Sequence, residues 1–258
     1  MKIIVFLAAI LDPKWMLSLD PSGALPSRDP QKLALSPFDE AALELALRLR
    51  EGGNTQAYVL EAYLIGEESS RLARKVAAYK PDRIETVSVG TGGLADRAHV
   101  ARVLAERVAA DGEPADVILI GREFGDCDDG AVPAMLARIL GNRYVGLIHS
   151  LEVGGQSIQL QRRRDGVVES IQLDRQIVAS VTNDKSNRLR HPLMKNAMQA
   201  RTAEIGHHAD PGRASMPVAR KVSALRQSRP EGQCRILTGD IAAQTQELAE
   251  ILRIGAAT

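Results

Sequence analysis

The chain has 258 residues, 45% hydrophobic and 25% charged, with a formal net charge of +1 at pH 7. That length holds one or two domains with a full core. The charge balance gives no reason to invoke nucleic acid or an anionic membrane surface, whose binding needs a concentrated basic face. Two cysteines, Cys127 and Cys234, exclude a disulfide framework and a paired-thiolate metal site, and a reducing, cytoplasmic compartment fits them best.

The opening run MKIIVFLAAIL has a single basic residue ahead of a short apolar stretch, so it reads as a buried first strand rather than a signal peptide. No other stretch approaches transmembrane length, and membrane contact is expected only through a partner. Strands are expected at residues 2–8, 56–64, 83–89 and 117–120, alternating with helices, which implies a parallel sheet with right-handed crossovers. In the first crossover Ser36 can cap a helix, Pro37 takes its first position, Asp39 follows three residues after the cap, and Gly52 and Gly53 end it. Ala42, Leu45, Ala46 and Leu49 form its inward stripe, and Glu44 and Arg48 stand at the favourable four-residue spacing. Val100, Val103, Leu104 and Val108 make the stripe of a later helix.

Residues 116–140, DVILIGREFGDCDDGAVPAMLARIL, carry the strongest functional signal: an apolar strand, a glycine- and acid-rich loop, then an amphipathic helix. Gly121, Gly125 and Gly130 let the backbone approach a ligand, and the helix that follows presents the positive end of its dipole to an anion such as phosphate. Glu123, Asp126, Asp128 and Asp129 would repel phosphate unless they turn away from it or bond to ribose. An Asp just before Ala131 can instead cap the helix, with Pro133 tolerated in its first turn. A hard cation held by Asp126, Asp128 and Asp129 is the weakest reading, because no further acid or histidine stands at a suitable spacing. A second cluster, Gly90 to Gly93, follows the third strand rather than the first and reads as a connecting loop.

Past Gly141 the pattern becomes a meander of strands at 147–153, 158–164 and 167–173, then a buried strand at 177–181 and a short helix near 193–200. The fold class is therefore α/β: a Rossmann-like parallel sheet flanked by helices, with an antiparallel hairpin annex. Residues 1–205 form the main domain. Residues 206–258 form an extended C-terminal arm whose last helix, near 241–254, packs on a partner subunit or back on its own domain. The five histidines, His99, His149, His191, His207 and His208, lack a nearby nucleophile or metal partners and are expected on surfaces or linkers.

Three segments, SPFDEAALELALRLRE from Ser36, DVILIGREFGDCDDG from Asp116 and RRRDGVVESIQL from Arg162, resemble the beta subunit of electron transfer flavoprotein. The likeness covers most of residues 2–200. The family's Asn-Pro-Phe-[Asp/Cys]-Glu motif is matched from Ser36. Its Gly-Lys-Gln-Ala-Ile-Asp-x-Asp motif is matched at Gly121, Asp126 and Asp128, with Arg122 for the lysine, and its hairpin signature at Asp165, Gly166 and Glu169. The resemblance implies an adenine nucleotide alpha hydrolase-like fold and a non-catalytic subunit of a heterodimer. The alpha subunit holds most of a shared redox FAD, and this chain buries AMP, or a second FAD in electron-bifurcating members. Electrons arrive from flavin dehydrogenases and leave to a membrane quinone reductase.

Carried over by position, the nucleotide site takes in Phe6, Ser36, Pro37, Phe38, Asp39, Ile65, Gly66 and Gly121, then Asp126, Cys127, Asp128, Asp129, Gly130, Ala131 and Val132. Leu193 or Met194 falls where the family contacts its dehydrogenase, and Trp15 where it approaches the flavin. The chain departs from the family at Ala8 and Ala9, where a Lys-Arg pair is common, and at Val132, where a hydroxyl is common. These departures leave AMP and FAD both open. A stress-protein-like nucleotide-binding regulatory module is a further alternative, since it shares a similar sheet without needing an alpha subunit.

Overall fold

Residues Ile3 to Ile10 are all buried and divide by alternation between two apolar clusters: Ile3, Val5, Leu7 and Ala9 enter one, Ile4, Phe6 and Ala8 the other. A strand covered on both faces needs this pattern, because successive side chains point to opposite sides. The structure, a computed structural model, describes residues 1–15, 30–52, 58–66, 69–90, 93–125, 130–155, 157–209 and 236–255. Contacts divide the chain into two compact units, Met1–Ser18 with Pro26–Lys221, and Leu19–Leu25 with Val222–Thr258.

The first unit is built on one sheet. Its strands are β1 (Lys2–Leu11), β2 (Leu33–Leu35), β3 (Val59–Ile65), β4 (Arg83–Val87), β5 (Val117–Gly121), β6 (Arg143–Gly154), β7 (Ser157–Arg164), β8 (Val167–Asp174), β9 (Ile177–Val181) and β10 (Gly206–His208). Their order is β10-β4-β3-β1-β5-β9-β6-β7-β8, with β2 paired to the end of β1. Every pairing from β10 through β6 is parallel, whereas β6-β7 and β7-β8 are antiparallel. The α/β class and the hairpin annex are as expected. The sheet also takes in β10, past residue 205, where the sequence pattern expected the arm to begin.

Helices α1 (Pro37–Gly52) and α2 (Ser70–Ala77) cover one face, and α3 (Arg97–Ala109) and α4 (Ala131–Leu140) the other. Burial on α1 is wider than the expected stripe, since Leu43 and Leu47 are buried as well. The 3-10 turn Lys185–Asn187 packs on this helix, with Arg48 donating to the Ser186 carbonyl and to Asn187 Oδ1. Strand β6 begins earlier than expected and is bulged between Val145 and Ile148, with Leu147 at φ +64°. Helix α5 (Met194–Ala200) follows β9. In the second unit, α6 (Ile241–Gly255) keeps Ile241 and Leu252 exposed.

At the amino ends of β1, β3 and β4 a charge cluster anchors α3. Arg107, 3% exposed, donates to Glu85 and Asp111, both at 2.8 Å, and its guanidinium lies 4.7 Å from the Tyr63 ring centre. Burial works against ionisation of Asp111, yet hydrogen bonds from Arg107 and Lys2 hold its carboxyl well below the usual carboxylate range. Removing the arginine leaves two carboxylates short of their main partner. Arg107→Ala is expected to cost about 3 kcal/mol in urea denaturation, and a cost near zero would show that the cluster behaves like a solvated surface.

Candidate functional site

The amino end of α1 is held against the carboxyl ends of two strands. Ser36 Oγ accepts the Asp39 N–H at 3.1 Å and the Ser36 carbonyl accepts the Glu40 N–H at 2.9 Å, so the expected cap is present. Asp39 does not reach back to complete a capping box. Its carboxyl turns inward, and Oδ2 accepts the Ala8 N–H of β1 at 3.1 Å. Oδ1 lies beside Gly121 of β5 without a well-aligned hydrogen bond. A Cβ on Gly121 would stand 2.5 Å from Asp39 Oδ1 and 2.9 Å from its backbone nitrogen, so only glycine permits this approach. Asp39 is fully buried. Burial pushes its carboxyl up to about 8, outweighing the opposing pull of Ala8, Ser36 and Gly121.

Neighbouring loops close around the same end of the sheet. Phe6 pairs in register with Tyr63 of β3 and Ile120 of β5, and Ala8 with Ile65. After β3 the chain turns at Gly66, whose carbonyl accepts from Ser69 Oγ at 2.8 Å. After β5 the Arg122 N–H bonds to the Val181 carbonyl of β9, which carries the loop across the sheet end. Gly130 precedes α4 at φ +98°, a left-handed conformation that brings it back beside the Arg122 carbonyl. Having no side chain, it cannot supply a capping oxygen.

Of the expected nucleotide residues, the structure therefore brings together Ser36, Pro37, Phe38, Asp39, Ile65, Gly66, Gly121, Gly130, Ala131 and Val132 around the carboxyl ends of β1, β3 and β5. Phe6 lies beneath them: it has no exposed surface, and its ring centre is 5.5 Å from that of Tyr63. Phe6, Ile65 and Val132 share one apolar cluster. Asp126, Cys127, Asp128 and Asp129 lie outside the described residues, as do the capping and cation readings that rest on them. Among the described residues no group of three His, Cys, Asp or Glu could hold a metal. Phe124 and Leu94, unremarked in the sequence, are buried in the cluster that backs the loop; a lone aromatic in an acid-rich loop was the available signal.

The residues expected to meet a partner stand elsewhere. Arg190 is clamped to α1 through Glu44, with Nη2 2.7 Å from Oε1, and to Glu51. Glu44 also meets Arg48 at the expected spacing. Beyond that clamp Leu193 and Met194 are 72% and 79% exposed. Trp15 is exposed, with Lys32 Nζ 5.9 Å from its ring centre. His99 departs from the expected surface placement: it is buried on α3, one turn after Asp96, whose carboxylate accepts the His99 N–H.

Asp39 should leave a signature in the pH dependence of stability. Its folded-state value of about 8 lies above the ordinary 3.8, so the folded chain retains a proton that the unfolded chain releases. The stabilisation is complete below pH 3.8 and is lost as pH rises through 8. Between pH 5 and 8 the urea-derived stability of the wild type should fall relative to Asp39→Asn by up to about 1.4 kcal/mol per pH unit. Parallel curves would show that the carboxyl is ionised throughout.

The electron transfer flavoprotein domain family model matches residues 28–211 of the chain. The chain is 28% identical to the electron transfer flavoprotein subunit beta of Bradyrhizobium diazoefficiens, over 90% of its own length and 91% of that protein. It is 24% identical to the human electron transfer flavoprotein subunit beta, over 97% of this chain and 99% of the relative. Protein FixA of Azorhizobium caulinodans is 28% identical over 66% of this chain and 62% of that protein. With a match across well over half its length and its three motifs in order, the chain belongs to the electron transfer flavoprotein family, as a divergent relative of the beta subunits.

Proposed function

We propose that this chain is the beta subunit of a cytoplasmic, heterodimeric electron transfer flavoprotein. It binds AMP at the carboxyl ends of β1, β3 and β5 and performs no bond chemistry of its own. The observation that carries the reading is the convergence, at one end of the sheet, of the α1 terminus held by Asp39, the turn at Gly121 and the start of α4 after Gly130. Ligands in open parallel sheets bind at this end. The residues fit an anion: Gly121 and Gly125 are packed against Asp39 and Leu94, but Gly130 leaves room for close backbone approach, and α4 starts there with its positive end. Asp39, held neutral below about pH 8, adds no negative charge beside a phosphate.

In this reading residues 121–132 hold the phosphate, and Ser36 to Asp39 with Ile65 and Gly66 hold the nucleoside, with Phe6 supporting them from beneath. FAD, shared with the alpha subunit, supplies the redox chemistry, taking electrons from a flavin dehydrogenase that meets Leu193 or Met194 and passing them to a membrane quinone reductase. Helix α6 packs on the alpha subunit. A nucleotide bound only to the folded chain adds about 4 kcal/mol of stability at a thousandfold excess over its dissociation constant.

Co-expression with an electron transfer flavoprotein alpha subunit, followed by denaturation and mass spectrometry of the released nucleotides, tests this directly. One AMP and one FAD per heterodimer is the expected result. Two FAD without AMP would replace it with the electron-bifurcating reading, and a chain that stays alone and colourless would overturn both. Asp128→Ala is expected to lower the nucleotide content, and retention of a full complement would refute the assigned pocket.

A further inference from the structure

Between α2, α5 and the segment that follows Arg188 lies a half-open groove of about 600 Å³, on the sheet face covered by α1 and α2 and away from the apolar cluster of Phe124 and Val132. Its floor is apolar, with Leu72, Val76, Leu189 and Ala197, and its rim carries Arg71, Arg74, Lys75 and Arg201. Glu40 is the one acid among the lining residues. Three cations elsewhere in the first unit are by contrast paired: Arg107 with Glu85 and Asp111, Arg190 with Glu44 and Glu51, Lys2 with Glu61 and Asp111. The four on the rim make no ion pair among the described residues. Arg71, Arg74 and Lys75 recur at helical spacing on the outer face of α2, while Leu72, Ala73 and Val76 of the same helix enter the core.

We infer that this groove is a docking site for an acidic, leucine-bearing peptide segment of a partner protein. Charge complementarity selects the occupant: four cations against one carboxylate leave a concave site whose field attracts anions and whose floor rewards a buried apolar side chain. The groove is also continuous with an apolar ridge. Ala197 and Arg201 line it, while Met194 and Met198, one turn apart on the adjoining face of α5, are 79% and 62% exposed. The hydrogen bond from Tyr79 Oη to the Arg190 carbonyl, with the Arg190 clamp to Glu44, fixes the wall between α1 and α2 before any partner arrives, so docking need not order that segment. A concave floor suits an inserted side chain of a peptide better than the plane of a bilayer. The inference does not depend on which nucleotide the sheet holds.

The test is fluorescence anisotropy of the purified full-length protein with a labelled peptide of alternating glutamate and leucine, set beside a lysine and leucine counterpart and phosphatidylglycerol vesicles. The acidic peptide is expected to bind, more weakly as salt is raised. Arg74→Glu combined with Lys75→Glu should weaken it at least tenfold. Ala197→Trp, which fills the floor without changing charge, should do likewise, and circular dichroism should show both variants folded. Equal binding of the lysine peptide, or loss in the charge variant but not in Ala197→Trp, would overturn the groove as the site. Vesicle binding in place of peptide binding would overturn the choice of partner and assign the surface to lipid.

Discussion

The buried carboxyl of Asp39 is the constraint on which the upper end of this molecule depends. One side chain ties the first turn of α1 to β1 through Ala8 and brings it against β5 at Gly121. Neither contact tolerates an ordinary substitute: a Cβ on Gly121 collides with the acid, and without the acid the Ala8 N–H loses its partner in a region closed to water. Burial makes the group a poor anion, which would be a plain cost in a structural carboxylate. In the proposed function, where the neighbouring loop holds a phosphate, a neutral acid avoids repulsion. The same feature thus serves packing and, in the proposed function, ligand binding.

The two ends of the sheet solve opposite problems. At the amino ends charges are paired and enclosed, with Arg107 set between Glu85 and Asp111 over the Tyr63 ring. At the carboxyl ends the chain turns through glycines and helix starts. Tyr63 and Phe6, neighbours across β3 and β1, link the two through the body of the sheet. In the proposed function stability sits below and recognition above, as expected of an open parallel sheet.

Much of this was legible in the sequence, and the exceptions have physical causes. The alternating and helical periods placed β1, β5, β9, α1 and α4, because strands covered on both faces and helices lying on them leave strong patterns. Helix α2 is only eight residues long and mostly charged outside, and β10 is a three-residue edge, so neither carries enough pattern to be read. The early start of β6 is hidden by its bulge, where Leu147 leaves the extended conformation. At the site, Asp39 reads as a first-turn acid three residues after the cap, and as a nucleotide-site residue through the family resemblance. Its inward turn depends on Gly121, some eighty residues further along the chain, and no local pattern reports such a meeting.

The most direct test of the account is a high-resolution structure of the heterodimer with its native nucleotide. The account predicts the phosphate against residues 121–132, with Asp39 still accepting the Ala8 N–H beneath it. A nucleotide bound away from the carboxyl ends of β1, β3 and β5, or an Asp39 side chain swung out to solvent, would contradict it.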